Sequence, residues 1–565
     1  MKILLLDVES IGWELIKPEA SVYEDSDEKS VSVKDALVMM LSVESDDDKD
    51  VAEKAVADVE KIMKQLKRSR LVIYPYAHLS NDLADPKSAM QMIDSVYKSV
   101  ASDKGIEVRK APFGWNKKWS ITMKGHPLAE QMRSFGKDER KVYKKAKPVS
   151  VNTAIVRKSD VSGLPETDHR TIGERLDLFS LQEVSPGMIY WHPNGMVIFN
   201  ELVKFIRERQ LEYGYTEVGT PAIANTALWD VSGHMEHYKD NMFRFDAEDE
   251  SLALKPMNCA SIMMIYKSRR WSYRDLPLRL SDFDKVYRNE ISGALTGLFR
   301  VREITQDDAH IFVREDQVEE EITNVLKLIN EFYSKFNLAY KAKLSTMPDS
   351  HLGDEKLWSD AIGKLKKTLE KNKMKYEIKE KEGAFYGPKI DFDIVDSIGR
   401  EWQCATVQLD YQLPQRFGLE YTGEDGRGRM PIVVHRVVYG SLERFLGVFI
   451  EHSQGKFPTW LAPVQVRVMS ISEPANDYAE KVYGELRKHG IRAYADLSDR
   501  TLEYKIREAQ MQKVPYMVIL GKKEQESGKI TVRDRAGKQA HDLELIEFVK
   551  KISKEISERS FSNEL

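Results

Sequence analysis

Cysteine is almost missing: Cys259 and Cys404 are the two in 565 residues. Two thiols cannot make a disulfide framework at this length, so a reducing, cytoplasmic setting is expected. Long apolar runs are missing too. No window approaches the roughly 18 residues of a membrane-spanning helix. The opening MKILLLDVES is cut by Asp7 and Glu9 before a signal segment could form, and reads as a first strand. Neither sign of charge dominates, with 86 Lys and Arg against 90 Asp and Glu and a net charge of −4. That balance excludes a globally basic nucleic-acid binder and leaves only local patches. Two exist: KDERKVYKKAK (137–147) and KSRRWSYR (267–274). Each reads equally as a solvated surface. Internal repeats are absent as well.

What remains is ordinary globular material, 42% apolar and 31% charged, long enough for three or four domains. The first stretch alternates strand-like and helix-like runs. MKILLLDV is followed by acidic loop-like segments, DVAEKAVADVEKIMKQL has helical apolar spacing, LVIYPYAHLS reads as a buried strand, and ADPKSAMQMIDSVYKSV reads as a helix. GIEVRKAPFG and KKWSITMKG read as two strands around a Gly turn. Residues 137–190 read as a connector rich in turn formers. A long mixed segment follows, and FPTWLAP marks its end. Beyond it VQVRVMSI, DYAEKVYGELRKHGI, IRAYADL, TLEYKIREAQMQK and YMVILG give a βαβαβ order, hence a small sheet flanked by helices.

The densest chemistry lies in LTGLFRVREITQDDAHIF (295–312). It reads as a strand with Phe299 and Val301 on one face and Arg300 and Arg302 on the other. Gln306, Asp307, Asp308 and His310 follow at once. Arg288 and Arg444 recur in similar strand-end or helix-start settings. Guanidiniums fork onto phosphate oxygens and lie flat on aromatic rings, which suits a nucleotide triphosphate. Taken singly, each is also a common surface ion pair. Cys259, His310 and His435 do not have finger spacing; alone they read as a core thiol and strand histidines.

Read together, KPMNCA, YRDLPLRLSDF, RNEISGALTGLFRVREITQDDAHIF, EGAFYGPKIDF, EWQCATVQLDYQLP and HRVVYGSLERF resemble, in order, the signature motifs of the class II aminoacyl-tRNA synthetases, and within them the threonyl-tRNA synthetase family. YPYAHLS, KAPFGWNKKW and KGHPLAE resemble the archaeal editing domain of that family, itself similar to D-aminoacyl-tRNA deacylases. The resemblance implies an α/β and α+β multidomain fold. An editing domain would span 1–136 and a linker 137–190. A class II antiparallel-sheet catalytic domain would span 191–462 and an α/β anticodon-binding domain 463–565. It implies ATP-dependent activation of L-threonine, transfer to tRNA(Thr), hydrolysis of seryl-tRNA(Thr), and a homodimer with no membrane association.

The resemblance also assigns residues. Arg288 would hold the ATP α-phosphate, Glu290 the adenine edge and Arg300 the γ-phosphate, with Arg444 stacking on adenine and Mg²⁺ bridging the phosphates. Cys259, His310 and His435 would hold one Zn²⁺ per subunit, three protein ligands leaving a position open. Asp308 would take the threonine ammonium, with Tyr386, Gln403 and Gln408 lining the pocket. His234 would stand near the tRNA 3′-terminal ribose. His78, Lys117 and Glu130 would form the editing site, Glu130 reading locally as a helix carboxylate. Glu524 and Arg533 would read anticodon bases. The metal would reject valine, which lacks the hydroxyl. Serine lacks only a methyl, worth about 1–3 kcal/mol, so a second, hydrolytic sieve is required. The chain departs from the family pattern at Ala260, Ser261 and Ile262, where Pro-Gly-His is usual, and at Thr296, where histidine is common. A noncatalytic tRNA-binding protein, a synthetase with a dead editing domain, and a stand-alone deacylase are the alternatives that assays separate.

Overall fold

The computed structural model describes residues 1–19, 22–80, 82–102, 105–126, 128–136, 161–247, 249–396 and 399–561. The chain divides into two compact units, 1–150 and 151–565. In the first, the order is β1 (Lys2–Pro18), β2 (Ser30–Ser42), α1 (Lys49–Leu66), β3 (Arg70–Pro75), α2 (Pro86–Ala101), β4 (Glu107–Lys110), β5 (Trp115–Met123) and β6 (Glu130–Ser134). The sheet runs β4-β3-β2-β1-β5, and β6 also pairs with β1. Period-2 alternation splits β1: Ile3 and Leu5 pack with α1 and α2 on one face, while Leu6 and Val8 join Trp13 and Tyr74 on the other. Asp48 and Asp85 cap the two helices, and Pro86 opens α2 at a position where its missing N–H costs nothing.

Three expectations change in this unit. A long strand, β2, lies between the acidic segments. The strands β4 and β5 are not a hairpin but stand on opposite edges of the sheet. Glu130 begins strand β6, opposite Leu6, and is not on a helix. The basic run 137–147 lies outside the described residues.

The second unit opens with α3 (His169–Arg175), β7 (Phe179–Leu181), β8 (Ile189–Trp191) and α4 (Pro193–Glu212). Half of the expected linker is therefore folded: Ile172, Leu176, Leu178 and Phe179 belong to the main core of this unit. Next come β9 (Thr216–Glu217), β10 (Ile223–Asn225), α5 (Ala227–Ser232), α6 (His234–His237), β11 (Arg244–Ala247), β12 (Glu250–Leu254) and α7 (Cys259–Lys267). They are followed by β13 (Leu278–Tyr287), β14 (Glu303–Val313), α8 (Val318–Lys335), β15 (Ala339–Ser345), α9 (Glu355–Lys371), β16 (Tyr376–Lys379), β17 (Lys389–Val395) and β18 (Glu401–Asp410). Then come α10 (Gln412–Arg416), β19 (Tyr421–Thr422), β20 (Gly428–Arg429), β21 (Ile432–Val437) and α11 (Leu442–Ser453). Eight strands form one sheet, β16-β15-β17-β18-β21-β14-β13-β9, antiparallel through its centre. The helices α4, α8 and α11 cover one face. The expected strand at Phe299 starts later, at Glu303, because Gly297 adopts a positive φ and the chain turns between Thr296 and Arg300.

The C-terminal part contains β22 (Val466–Ser470), α12 (Asn476–Lys488), β23 (Ala493–Asp496), α13 (Leu502–Met511), β24 (Tyr516–Leu520), α14 (Lys522–Ser527), β25 (Ile530–Asp534), β26 (Gln539–Leu543) and α15 (Leu545–Ser557). Its five-stranded sheet, β23-β22-β24-β25-β26, has the expected parallel βαβαβ start and an antiparallel edge. No helix among the described residues is long and apolar enough to cross a membrane.

Candidate active site

The open face of the eight-stranded sheet floors a cavity of about 440 Å³. Paired residues of neighbouring strands share a face, and residues two apart along a strand share it too. His310 on β14 pairs with His435 on β21, which pairs with Gln408 on β18, which pairs with Lys389 on β17. Stepping two residues back along β14 adds Asp308 and Gln306; along β18 it adds Thr406. All line the cavity. A single row of strands thus delivers two imidazoles, a carboxylate and amides to one floor.

At one end Cys259 starts α7. The His310 and His435 rings lie 4.5 Å apart, centroid to centroid. Both ring nitrogens of His310 are buried and have no hydrogen-bond partner. His435 Nε2 faces Asp410 Oδ2 at 2.8 Å, which orients the ring. Burial holds His310 well below its ordinary value, with His435 and Arg436 adding to the shift. Burial, then Asp308 and Asp410, pushes the Cys259 thiol up. Asp308 is pushed up to about 7 by burial, against His435 and a hydrogen bond from Asn258. Tyr386 donates to Gln408 Oε1, and Gln403 Nε2 donates to Asp391 Oδ1 at 2.7 Å.

At the other end guanidiniums gather. Arg288 follows β13 and reaches the Pro256 carbonyl at 3.4 Å. Arg444, on the first turn of α11, donates to the carbonyls of Phe299 at 2.9 Å and Gln403 at 3.0 Å. Its pKa is lowered by burial and by the nearby charges of Arg288 and Arg300. Gly440, Ser441 and Arg444 bring the start of α11 to the cavity wall. Gly440 must be glycine: its φ is +75°, and a Cβ there would sit 2.1 Å from the Cys404 carbonyl oxygen.

Glu290 and Arg300 are not on the wall; they pair with each other, Nε to Oε2 at 2.9 Å, on the turn between β13 and β14. His234 is not on the wall either. It is fully buried, with Nε2 3.9 Å from Cys259 Sγ and 3.3 Å from Met257 Sδ, and burial lowers it to about 3. It stands against the cysteine from outside the cavity wall. Sequence reasoning singled out Gln306 and the EGAFYGPKIDF motif but gave no role to Gln306, Lys389 or the 382–385 loop, which lie on the wall. The period-2 spacing from His310 places Gln306 there.

A second cavity, about 540 Å³, lies in the first unit and brings together His78, Lys117, Tyr74 and Trp115. The Lys117 ammonium sits 5.2 Å over the Tyr74 ring, and burial lowers it to about 8. Glu130 does not line this cavity. In the C-terminal part both Glu524 oxygens are used, one by the Gly521 N–H and one by the Thr531 hydroxyl. The buried Arg533 Nε has no hydrogen-bond partner.

Comparison with known proteins adds the following. The tRNA synthetase class II core domain family (G, H, P, S and T) matches residues 242–453. The Archaea-specific editing domain of threonyl-tRNA synthetase matches 1–135, and the anticodon binding domain matches 465–555. Curated relatives named threonine–tRNA ligase include one from Thermotoga petrophila, 51% identical over 415 residues, covering 72% of this chain and 65% of that protein. Another, from Clostridium tetani, is 49% identical over 418 residues, covering 73% and 65%. The chain thus spans about two-thirds, 65%, of the length of these relatives. The crystal structure of the RNA binding domain of threonyl-tRNA synthetase from Cryptosporidium parvum Iowa II is 42% identical with a TM-score of 0.67, covering 70% of this chain and 99% of that one. With an archaeal-type editing domain, a class II core and an anticodon-binding domain in one chain, this protein belongs to the threonyl-tRNA synthetase family.

Proposed function

We propose that the chain activates L-threonine with ATP, transfers it to tRNA(Thr), and hydrolyses seryl-tRNA(Thr) in its first unit. One observation carries the reading: Arg288 and Arg444 line one end of the cavity at the start of α11, with Arg300 on the adjoining turn. Guanidiniums that repel one another beside a helix start call for a polyanion. Arg288 holds the α-phosphate and Arg300 the γ-phosphate, while Arg444 stacks on adenine and Glu290 meets the adenine edge. The exposed Arg300–Glu290 pair contributes about 0–1 kcal/mol, so nucleotide entry opens it cheaply. Mg²⁺ arrives with the triphosphate. The threonine carboxylate attacks the α-phosphorus, pyrophosphate leaves, and the fixed positive charge stabilises the transition state.

The donor set of Cys259, His310 and His435 fits Zn²⁺: a thiol, an imidazole with both nitrogens unpartnered, and an imidazole oriented by a carboxylate. When bound, the ion supplies a Lewis-acid site for the amino group and hydroxyl of threonine. Asp308 accepts an N–H of that amino group and takes its proton as the ammonium enters; Tyr386, Gln403 and Gln408 shape the pocket around the side chain. His234 packs behind Cys259 and holds it in place.

In the first unit Lys117 and His78 face the hydrolytic cavity, where the ammonium orients water or the ester carbonyl; Glu130 supports β6. In the C-terminal part Arg533 offers donors to anticodon base edges. Thr531, two residues away on the same face of β25, is held by Glu524. The domains are 1–136, a linker from 137 whose later part joins the catalytic core, a catalytic domain to 462, and 463–565. Exposed Leu211, at 74%, and Ile223, at 48%, on either side of Pro221 in sequence support a homodimer, and the two free cysteines support a cytoplasmic setting.

The test is ATP–pyrophosphate exchange with threonine, valine and serine, before and after chelation. Exchange with threonine and weakly with serine, none with valine, and loss on chelation restored by Zn²⁺ is expected. No exchange with threonine in metal-replete protein overturns the reading.

A further inference from the structure

The imidazole of His169, from the stretch expected to be a linker, is completely buried in the catalytic unit. It opens α3 behind the N-cap Asp168. Its Nε2 lies 3.0 Å from the Leu298 backbone N and accepts that N–H. The proton therefore sits on Nδ1, which donates to Glu451 Oε1 at 2.8 Å. The His169 backbone N–H reaches the same carboxylate at 3.1 Å. Glu451 lies on the last turns of α11, the helix whose first turn carries Arg444. The ring packs 4.2 Å from the ring of Phe299, which in turn stacks on Trp402 at 4.0 Å. The Phe299 carbonyl is the acceptor for Arg444 Nε. Gly297, at φ +49°, leaves the space this requires: a Cβ there would lie 2.1 Å from His169 Nε2.

The donor atoms of Asp168, His169 and Glu451 lie within 4.8 Å of one another, a spacing a cation could bridge. The hydrogen bonds speak against one. Nε2 is occupied by the Leu298 N–H. Asp168 is forked by Arg170 at 2.9 and 2.8 Å. Glu451 is paired with Arg400, which also reaches Asp396 at 2.6 Å. Each carboxylate of the cluster already faces a guanidinium and the imidazole has no free lone pair, so the cluster is a hydrogen-bonded latch.

We propose that His169 is a positioning residue for nucleotide binding: held by Glu451, it fixes the Gly297–Arg300 turn, and through the Phe299 carbonyl it sets where Arg444 and Arg300 stand. The inference rests on the reading of those arginines as ATP ligands. It separates the two ends of the cavity, because the latch acts at the arginine end and has no hydrogen bond to Asp308, Tyr386 or Gln408.

The two nitrogens can be tested apart. A glutamine amide reaches the place of Nε2 and an asparagine amide the place of Nδ1. ATP and threonine KM in pyrophosphate exchange are measured for the wild type, H169A, H169Q and H169N. Hydrogen exchange of peptides covering Gly297–Arg300 is measured without nucleotide. H169A is expected to raise the ATP KM about tenfold, the worth of the one buried hydrogen bond of the two lost that grips the turn, Leu298 N–H to Nε2, with the threonine KM within about twofold. H169Q restores most of the ATP KM and the protection of the turn; H169N does not. An unchanged ATP KM in H169A overturns the proposal. So does a parallel rise of both KM values in all three variants, or rescue by H169N and not H169Q. A divalent ion retained by the wild type and H310A but lost from H169A overturns it in favour of a metal site. If the wild type gives no exchange while turn protection follows the expected order, the latch stands and the ATP reading fails.

Discussion

Asp307→Asn tests how the catalytic arginine is held. Asp307 is fully buried on β14 and faces away from the cavity. Its carboxylate accepts the N–H of Val438 at 2.9 Å and of Tyr439 at 2.9 Å, and lies 3.3 Å from Arg436 Nη1. Those two N–H groups belong to the turn just before Gly440 and α11. Asparagine keeps the shape, but one oxygen becomes an NH₂ that meets a donor head-on, and Arg436 loses its counter-charge. Breaking a buried pair in this way costs about 3–5 kcal/mol. At roughly 2.1 cal/mol/K per residue, a unit of this length unfolds with roughly 0.9 kcal/mol/K, so the melting midpoint should fall by about 3–6 °C. The turn also sets Arg444, and a shift on the order of 1 Å there costs about 100-fold in rate. A fall of that size leaves a protein with an ordinary midpoint of about 45–65 °C folded at 25 °C, so loss of exchange activity there would not come from unfolding. Burial lifts Asp307 to about 6, against Arg436 and the two N–H bonds, so it is ionised at neutral pH. Calorimetry at neutral pH and exchange at 25 °C give the readouts. A lowered midpoint with unchanged exchange would refute the link from Asp307 to Arg444, and an unchanged midpoint would refute the energetic argument.

Four further outcomes are expected. R444A should lose about 10²–10³ in kcat/KM for exchange, the usual cost of removing one fixed donor at developing charge, checked by steady-state kinetics at saturating threonine. Burial depresses Lys117 to about 8, so single-turnover hydrolysis of seryl-tRNA should fall as pH rises through 8, and in K117R the fall should disappear from that range. H310A and chelated wild type should lose threonine-dependent exchange equally while binding ATP with unchanged affinity by calorimetry. E524A, which removes the cap of α14, should cost about 1 kcal/mol in stability with little change in charging, whereas R533A should lower charging without affecting exchange.

How much of this was legible varies by element for physical reasons. α1, α2, α12 and α13 were readable because each has one apolar stripe and a start signal. β2 was not, because Ala36–Val43 is buried throughout and a strand covered on both faces loses its alternation. α3 carried a sign that could have found it: Asp168 ahead of a run with Ile172 and Leu176 at helical spacing. The delayed start of β14 follows from Gly297, whose positive φ a strand pattern cannot reveal. Lys389 and the 382–385 loop lie in the EGAFYGPKIDF motif, but that Lys389 reaches the cavity follows from the pairing of β17 with β18, a fact of topology.

The consecutive carboxylates in QDDAH show how far strand period carries. Asp307 and Asp308 are adjacent in sequence, so β14 sends them to opposite faces of the sheet. Asp308 lies on the cavity floor with Gln306 and His310. Asp307 grips the turn before α11 from behind, and the Thr305 N–H binds both oxygens of Glu443 on the same helix. One strand therefore places chemistry on its front and the support of Arg444 on its back. The two faces are fixed to each other by a single backbone, so the amino-acid end and the nucleotide end of the cavity are held in register by β14. Moving the register of β14 by one residue would leave a carboxylate on only one of the two faces: either Ala309 would replace Asp308 on the floor, or Gln306 would replace Asp307 behind it. The shared register explains why two acids of the same type, one residue apart, do different work.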